Sequence, residues 1–263
     1  MLIGVPKEIK THEYRVGMTP SSVREAISRG HSVLVESDSA EKIGITDQDY
    51  IAAGAIIAGS AEEVWGKSEM IVKVKEPQKS EYSFINSNMI LFTYLHLAPD
   101  PDQAEALINS GCSAIAYETV TDHKGGLPLL APMSMVAGRM SIQCGAHFLE
   151  ISKGGRGQLL GGVPGVPAAK VVIFGGGIVG TNAAKMAVGL GADVYIFDLN
   201  PSRLSELDQI FGTSITTLYP TIDVIEEKVT DADLIIGAVL VPGASAPCVV
   251  NEELVKKMNN GSV

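Results

Sequence analysis

The chain is short of several features that would define other protein classes. Its 263 residues include only three cysteines, Cys112, Cys144 and Cys248. These are widely separated, and no C-x-x-C or Cys/His pair has ligand spacing, so neither a disulfide framework nor a metal centre organises the fold. That thiol usage fits a reducing, cytoplasmic compartment. Excess positive charge is also missing. Lys and Arg number 20 against 30 Asp and Glu, a formal net charge of −10, which leaves no basic face for nucleic acid. Long apolar runs are absent as well. The most apolar stretch, 171–180, is glycine-rich and too short to span a bilayer. The N-terminus MLIGVPKEIK lacks the apolar segment of a secretory signal. A soluble chain without a membrane partner is expected. Apolar residues make up 46% and charged residues 19%, enough for one large or two ordinary cores and too apolar for extended disorder.

Glycine is plentiful, at 28 residues, and its placement at 170–200 (KVVIFGGGIVGTNAAKMAVGLGADVYIFDLN) organises the rest. An apolar run, 171–174, meets Gly175, Gly177 and Gly180 at G-x-G-x-x-G spacing. A helical pattern follows, stops at Gly191, and gives way to a second apolar run ending on Asp198. The first glycine permits a tight strand-to-helix turn, the second lets backbone approach a pyrophosphate, and the third lets helix and strand pack closely. The phosphates would sit on the helix N-terminus, on the unpaired N–H groups around Ile178 and Val179. Asp198 lies 18 residues after Gly180, near the ~20 expected of the carboxylate that binds the ribose hydroxyls. A carboxylate there repels a 2′-phosphate, so NAD is expected over NADP. A glycine-rich turn in an ordinary βαβ unit is the plainer alternative, but strand, helix and terminal acid together argue against it.

Residues 1–130 alternate between strand and helix patterns. Strands are predicted at 2–5, 32–36, 70–74, 89–95 and 113–118, and helices at 20–29, 47–53, 61–66, 80–85 and 102–110. Pro20 and Pro101 suit first-turn positions, and Gly30 and Gly111 suit C-terminal caps. The nearly all-apolar 89–95 predicts a strand covered on both faces. This is one parallel α/β domain. A helix is predicted at 134–152, its small residues suited to packing between domains. After a glycine/proline-rich loop at 153–168 comes the dinucleotide unit. The second domain, 131–263, continues with helices at 202–211, 221–229 and 251–258 and strands at 215–218 and 234–239. Ser262 and Val263 would begin another strand. One βαβαβ half is present with one further strand and helix, so an incomplete dinucleotide fold is expected, with helix 251–258 lacking a strand to return to and an unpaired sheet edge.

Several stretches together resemble one family. IGVPKEIK…EYRVGMTP, KVKEP, LFTYLHLAP, AYETV, GGLPLLAPMSMVAGRMS, the glycine region and GAVLVPGASAP look like alanine dehydrogenase over the full length. The NAD-binding subunit of proton-translocating transhydrogenase is the nearest architectural relative. The resemblance implies a substrate domain and a Rossmann domain. It also implies reversible NAD-dependent oxidative deamination of L-alanine to pyruvate and ammonium, and a homohexamer. In the family, the chain continues past the Gly-Ser-Val that ends this sequence into a strand and an active-site Asp. A remnant that binds NAD without turnover is therefore an alternative.

The resemblance also carries roles. Arg15 would bind the substrate carboxylate, which suits a planar, bidentate guanidinium. By itself it is a surface arginine in a salt bridge. Lys75, in KVKEP, would hold a carbonyl or carboxylate oxygen of the substrate, while Lys73 reads as a solvated neighbour. His96, after the apolar strand, would exchange the proton, since histidine titrates near neutrality. A histidine that caps a loop carbonyl is the plain alternative. Ser134 matches a cofactor contact and equally an N-cap. Arg203 would stack on adenine or meet the ribose, or simply lie on a helix surface. Val239 and Leu240 would offer backbone groups to the nicotinamide ribose. Met133 would pack against substrate, although a methionine there is commonly core.

Overall fold

The computed structural model describes residues 1–239 and 246–263. They form two compact units, Met1–Leu130 and Ala131–Val263.

The first unit is built on six parallel strands: β1 (Leu2–Val5), β2 (Ser32–Glu36), β3 (Ile56–Ala58), β4 (Met70–Val72), β5 (Ile90–Thr93) and β6 (Ser113–Ala116), in the order β3-β2-β1-β4-β5-β6. Helices α1 (Pro20–Ser28), α2 (Asp47–Ala52), α3 (Ala61–Lys67) and α4 (Pro101–Ser110) make the crossovers that parallel pairing requires. The period of two divides the strand side chains between two cores. Val33 and Val35 join Val5, Val23 and Tyr50 on one side, and Leu34 joins Trp65, Ile71 and Leu91 on the other. Local chemistry sets the helix ends. Thr46 closes a capping box on α2, Asp100 accepts from the N–H of Gln103 ahead of α4, and Gly111 ends α4 at φ 67°.

The strand order reverses between β1 and β4, and the loops that leave these two strands diverge at the carboxyl edge. Three differences from the sequence pattern bear on that edge. The three-residue β3 is too short to show a period. Residues 79–84 form a 3-10 helix where an α-helix is predicted. Strand β5 alternates rather than being covered throughout: Leu91 and Thr93 are buried, Ile90 and Phe92 half-buried.

The largest departure is Lys73. It is fully buried, not solvated, and its Nζ lies 2.9 Å from Glu81 Oε1 and 3.3 Å from Glu8 Oε2. Strand β4 ends at Val72, but the ladder continues through Lys73 N–H to Phe92 O (3.2 Å) and Tyr94 N–H to Val74 O (3.3 Å). That continuation draws the lysine inward, where only a carboxylate pair makes it tolerable.

The second unit contains α5 (Ala131–Phe148), β7 (Lys170–Phe174), α6 (Ile178–Gly189), β8 (Asp193–Phe197), α7 (Pro201–Phe211), β9 (Thr216–Leu218), α8 (Ile222–Thr230), β10 (Leu234–Gly237) and α9 (Glu252–Lys257). Its sheet is parallel in the order β10-β7-β8-β9. Helix α5 begins three residues earlier than predicted and packs on α6 within its own unit. A Cβ on Gly138 would lie 2.2 Å from Val179 O, so the small residue permits close helix–helix contact here. The chain after α9 does find an edge: Ile235 N–H donates to Val263 O (2.8 Å) and Val263 N–H to Asp233 O (2.9 Å). Val263 therefore pairs beside β10, where the sequence predicts that Ser262 and Val263 begin another strand, although among the described residues no strand is formed after α9.

Replacing Lys73 with Ala would leave Glu8 and Glu81 buried without their cation. The expected cost is about 3–5 kcal/mol, read as a lowered urea midpoint.

Candidate functional site: a glycine turn and a charged sheet edge

In the second unit, β7 runs straight into the glycine turn. Gly175 has φ 99°, and its N–H donates to Phe197 O (2.8 Å). Gly180 is a packing residue, since a Cβ there would fall 1.8 Å from Gly175 O. Gly177, the N-cap residue of α6, has open space where a Cβ would project. Gly177 brings no side-chain cap to α6, and no acidic residue occupies the helix's first turn, so among the described residues the positive end of the helix dipole is left for an anion. Ile178 is exposed and Val179 half-buried in that first turn.

Asp198 follows β8 directly. Its Oδ2 accepts the Gly176 N–H (2.7 Å) and its Oδ1 the Asn200 N–H (2.8 Å). The carboxylate thus ties the end of β8 to the glycine turn. Arg203 is occupied by the same turn. Its Nε donates to Gly176 O (2.7 Å), Nη2 to Thr181 Oγ1 (2.8 Å) and Nη1 to Glu206 (2.5 Å). The guanidinium braces the turn from below.

Ser134 lies in the first turn of α5, which starts at Ala131, so it is not the N-cap predicted for a helix starting there. Met133 is half-buried in the same turn. Val239 lies two residues beyond the end of β10, half-buried against the Phe174 and Phe197 cluster. Leu240 lies outside the described residues.

In the first unit, Arg15, Lys75 and His96 all follow strand ends on the carboxyl edge of the sheet. Arg15 donates to Glu13 through Nε (2.8 Å) and Nη2 (2.6 Å). That bond, with backbone donation and the charges of Arg15 and Lys75, holds the Glu13 carboxyl below its ordinary value despite partial burial. One carboxylate therefore feels both cations. Lys75 is half-buried three residues beyond β4. Its N–H (3.2 Å) and that of Val74 (2.6 Å) donate to Glu8 Oε1, and its carbonyl accepts from Thr93 Oγ1 (2.8 Å). Burial pushes the Glu8 carboxyl up, against Lys73 and the two N–H groups.

His96 is exposed and left-handed, at φ 48°. Its ring stacks on that of Tyr94, with centroids 6.4 Å apart at 25°. Burial, ahead of the opposing charge of Arg15 and the reinforcing charge of Glu118, raises the Tyr94 hydroxyl. The Tyr94 hydroxyl donates to Leu129 O (2.5 Å). Sequence reasoning did not single out Glu8, Glu13, Glu118, Tyr94 or Thr181. Glu8 and Glu118 lie within quoted motifs, but no spacing rule shows that their carboxylates reach another loop's backbone.

An uncapped helix after a glycine turn, an acid at the next strand tip and a second parallel α/β unit define a two-domain protein with a Rossmann-type dinucleotide-binding unit. The family profile "Alanine dehydrogenase/PNT, N-terminal domain" matches residues 4–137, and "Alanine dehydrogenase/PNT, C-terminal domain" matches 141–263. The chain belongs to the alanine dehydrogenase/PNT family. It is 56% identical over 263 residues to alanine dehydrogenase from Methanococcus maripaludis, covering 100% of this chain and 70% of that protein. A solved L-alanine dehydrogenase superposes with a TM-score of 0.94 at 55% identity, covering 100% of this chain and 72% of the other. Transhydrogenase from Sinorhizobium meliloti gives 0.85 at 25%, covering 100% and 76%.

The two glycines should separate in experiment. Gly180→Ala overpacks the turn and is expected to destabilise the chain by about 1–3 kcal/mol or more. Gly177→Ala should cost no more than about 1 kcal/mol as an N-cap change, yet weaken dinucleotide binding. Thermal denaturation and calorimetric titration with NAD measure the two effects.

Proposed function

We propose that the chain is an NAD-linked dehydrogenase that converts L-alanine, NAD⁺ and water to pyruvate, ammonium, NADH and a proton, and runs the reverse amination. The observation that carries this reading is the 56% identity to an alanine dehydrogenase over the full length of the chain. The 25% identity to a transhydrogenase gives that alternative weaker support.

The residues present suit the roles. Arg15 binds the substrate carboxylate, and Lys75 holds a carbonyl or carboxylate oxygen of the substrate. Lys75 Nζ donates to no described residue, which leaves it available for this task. His96 takes a proton from the ammonium or carbinolamine group and returns it in the reverse direction. The N–H groups of Ile178 and Val179 and the open space beside Gly177 suit a pyrophosphate, and Asp198 suits a ribose diol. When bound, NAD supplies the hydride acceptor. Ser134, Arg203, Val239 and Leu240 are proposed as further cofactor contacts and Met133 as a substrate contact. For Arg203 this requires exchange of the Glu206 bond, because its other donors hold the turn. The first unit serves substrate and the second NAD, with Met133 of the second unit as the one substrate contact outside the first. A cytoplasmic homo-oligomer, a hexamer by family resemblance, completes the reading, and exposed Met135, Val136 and Met140 on α5 support assembly.

Alanine-dependent NADH formation at alkaline pH, followed by absorbance, tests the proposal, and its absence rejects it. His96→Ala is expected to abolish turnover while NAD affinity stays near that of the parent; equal loss of both would make His96 structural. Asp198→Gly combined with Leu199→Arg should move preference toward NADP. Unchanged discrimination would remove Asp198 from ribose recognition.

A further inference from the structure

The loop that carries His96 is held by a group with no assigned part in the reaction. Among the described residues, only His12, Asp38 and His96 adopt left-handed backbone without being glycine, a conformation unfavourable for any residue with a Cβ. Beyond the Tyr94–Val74 bond the sheet ladder has run out, so the next two N–H groups need another acceptor. Glu118 provides it. Its Oε1 accepts from His96 N–H (2.8 Å) and Leu95 N–H (3.1 Å), and its Oε2 lies 3.3 Å from the latter. Two successive N–H groups converging on one anion, with the second residue left-handed, form an anion nest. Here the chain fills that nest with its own carboxylate.

Glu118 belongs to the 3-10 turn Tyr117–Thr119 after β6. The preceding residue acts on the same assembly. The Tyr117 ring meets Tyr94 edge-on, with centroids 4.9 Å apart at 88°, and Tyr94 stacks on His96. One turn therefore fixes the histidine twice, by backbone through Glu118 and by ring through Tyr117 and Tyr94.

We propose that Glu118 is a positioning residue that holds His96 in its left-handed conformation and so aims the imidazole for proton transfer. This rests on the reading of His96 as the proton-transfer group. Gln at 118 keeps an Oε1 acceptor for both N–H groups, whereas Ala keeps none.

The test uses the full chain with ¹³C,¹⁵N-labelled histidine, whose five residues give separate ring signals. In Glu118→Ala the His96 ring and amide signals should move while the other four hold. In Glu118→Gln the His96 signals should stay near their parent positions. Turnover of Glu118→Ala should fall about 10²-fold in kcat, with NAD affinity unchanged and Glu118→Gln largely rescued. An unmoved His96 in Glu118→Ala overturns the proposal. If Glu118→Ala unfolds and all five signals collapse, Glu118→Gln decides: parent-like His96 signals support the clamp, and displaced ones overturn it. A parent chain without turnover rejects the catalytic reading of His96, and the spectra then decide the clamp independently.

Discussion

Parallel strands leave their last backbone N–H groups without ladder partners at the carboxyl edge, and both units are shaped by how those groups are satisfied. In the first unit, carboxylates from neighbouring strand ends and loops do the work. Glu36 accepts from Lys7 (2.9 Å), Glu8 from Val74 and Lys75, and Glu118 from Leu95 and His96. In the second unit, Asp198 takes Gly176, and the first turn of α6 is left uncapped. Filled nests fix the loops that bear the candidate side chains. The open helix end is where an anionic ligand has its best electrostatic fit.

The same constraint explains the arrangement of charge around Lys73. A lysine drawn inward by the continuing ladder has to meet anions, and Glu8 and Glu81 supply them. Glu8 then serves two neighbours at once, Lys73 through one oxygen and the backbone before Lys75 through the other. A buried ion pair of this kind contributes little net stability, but removing one member is costly. It therefore ties the loop after β1 to the loop after β4 at the point where the strand order reverses.

Much of the fold was legible because its signals are local. The apolar runs of β1, β2, β7 and β8, the first-turn prolines of α1 and α4, and the glycine turn each follow from chemistry within a few residues. What escaped was either too short for periodicity, as with β3, or settled by distant contacts. Lys73 and Lys75 differ by two positions in one motif. One is buried and the other half-exposed because the ladder extends past Val72. Ser134 looked like a helix head because serine suits an N-cap, but α5 starts at Ala131.

Taken alone, the amino-acid order determined that two parallel α/β units would form, that a diphosphate-type turn would lie at Gly175–Gly180, and that Arg15, Lys75 and His96 would follow strand ends. Those properties depend on side-chain period, turn conformation and helix-end chemistry, all of which act over short distances along the chain. Tertiary structure alone decided that Glu8 and Glu118 would clamp loops up to 67 residues away in sequence, that Arg203 would brace the glycine turn, and that His96 would be held left-handed. A carboxylate finds its backbone donors only after the strands have packed in their final order, and no spacing along the chain encodes that order.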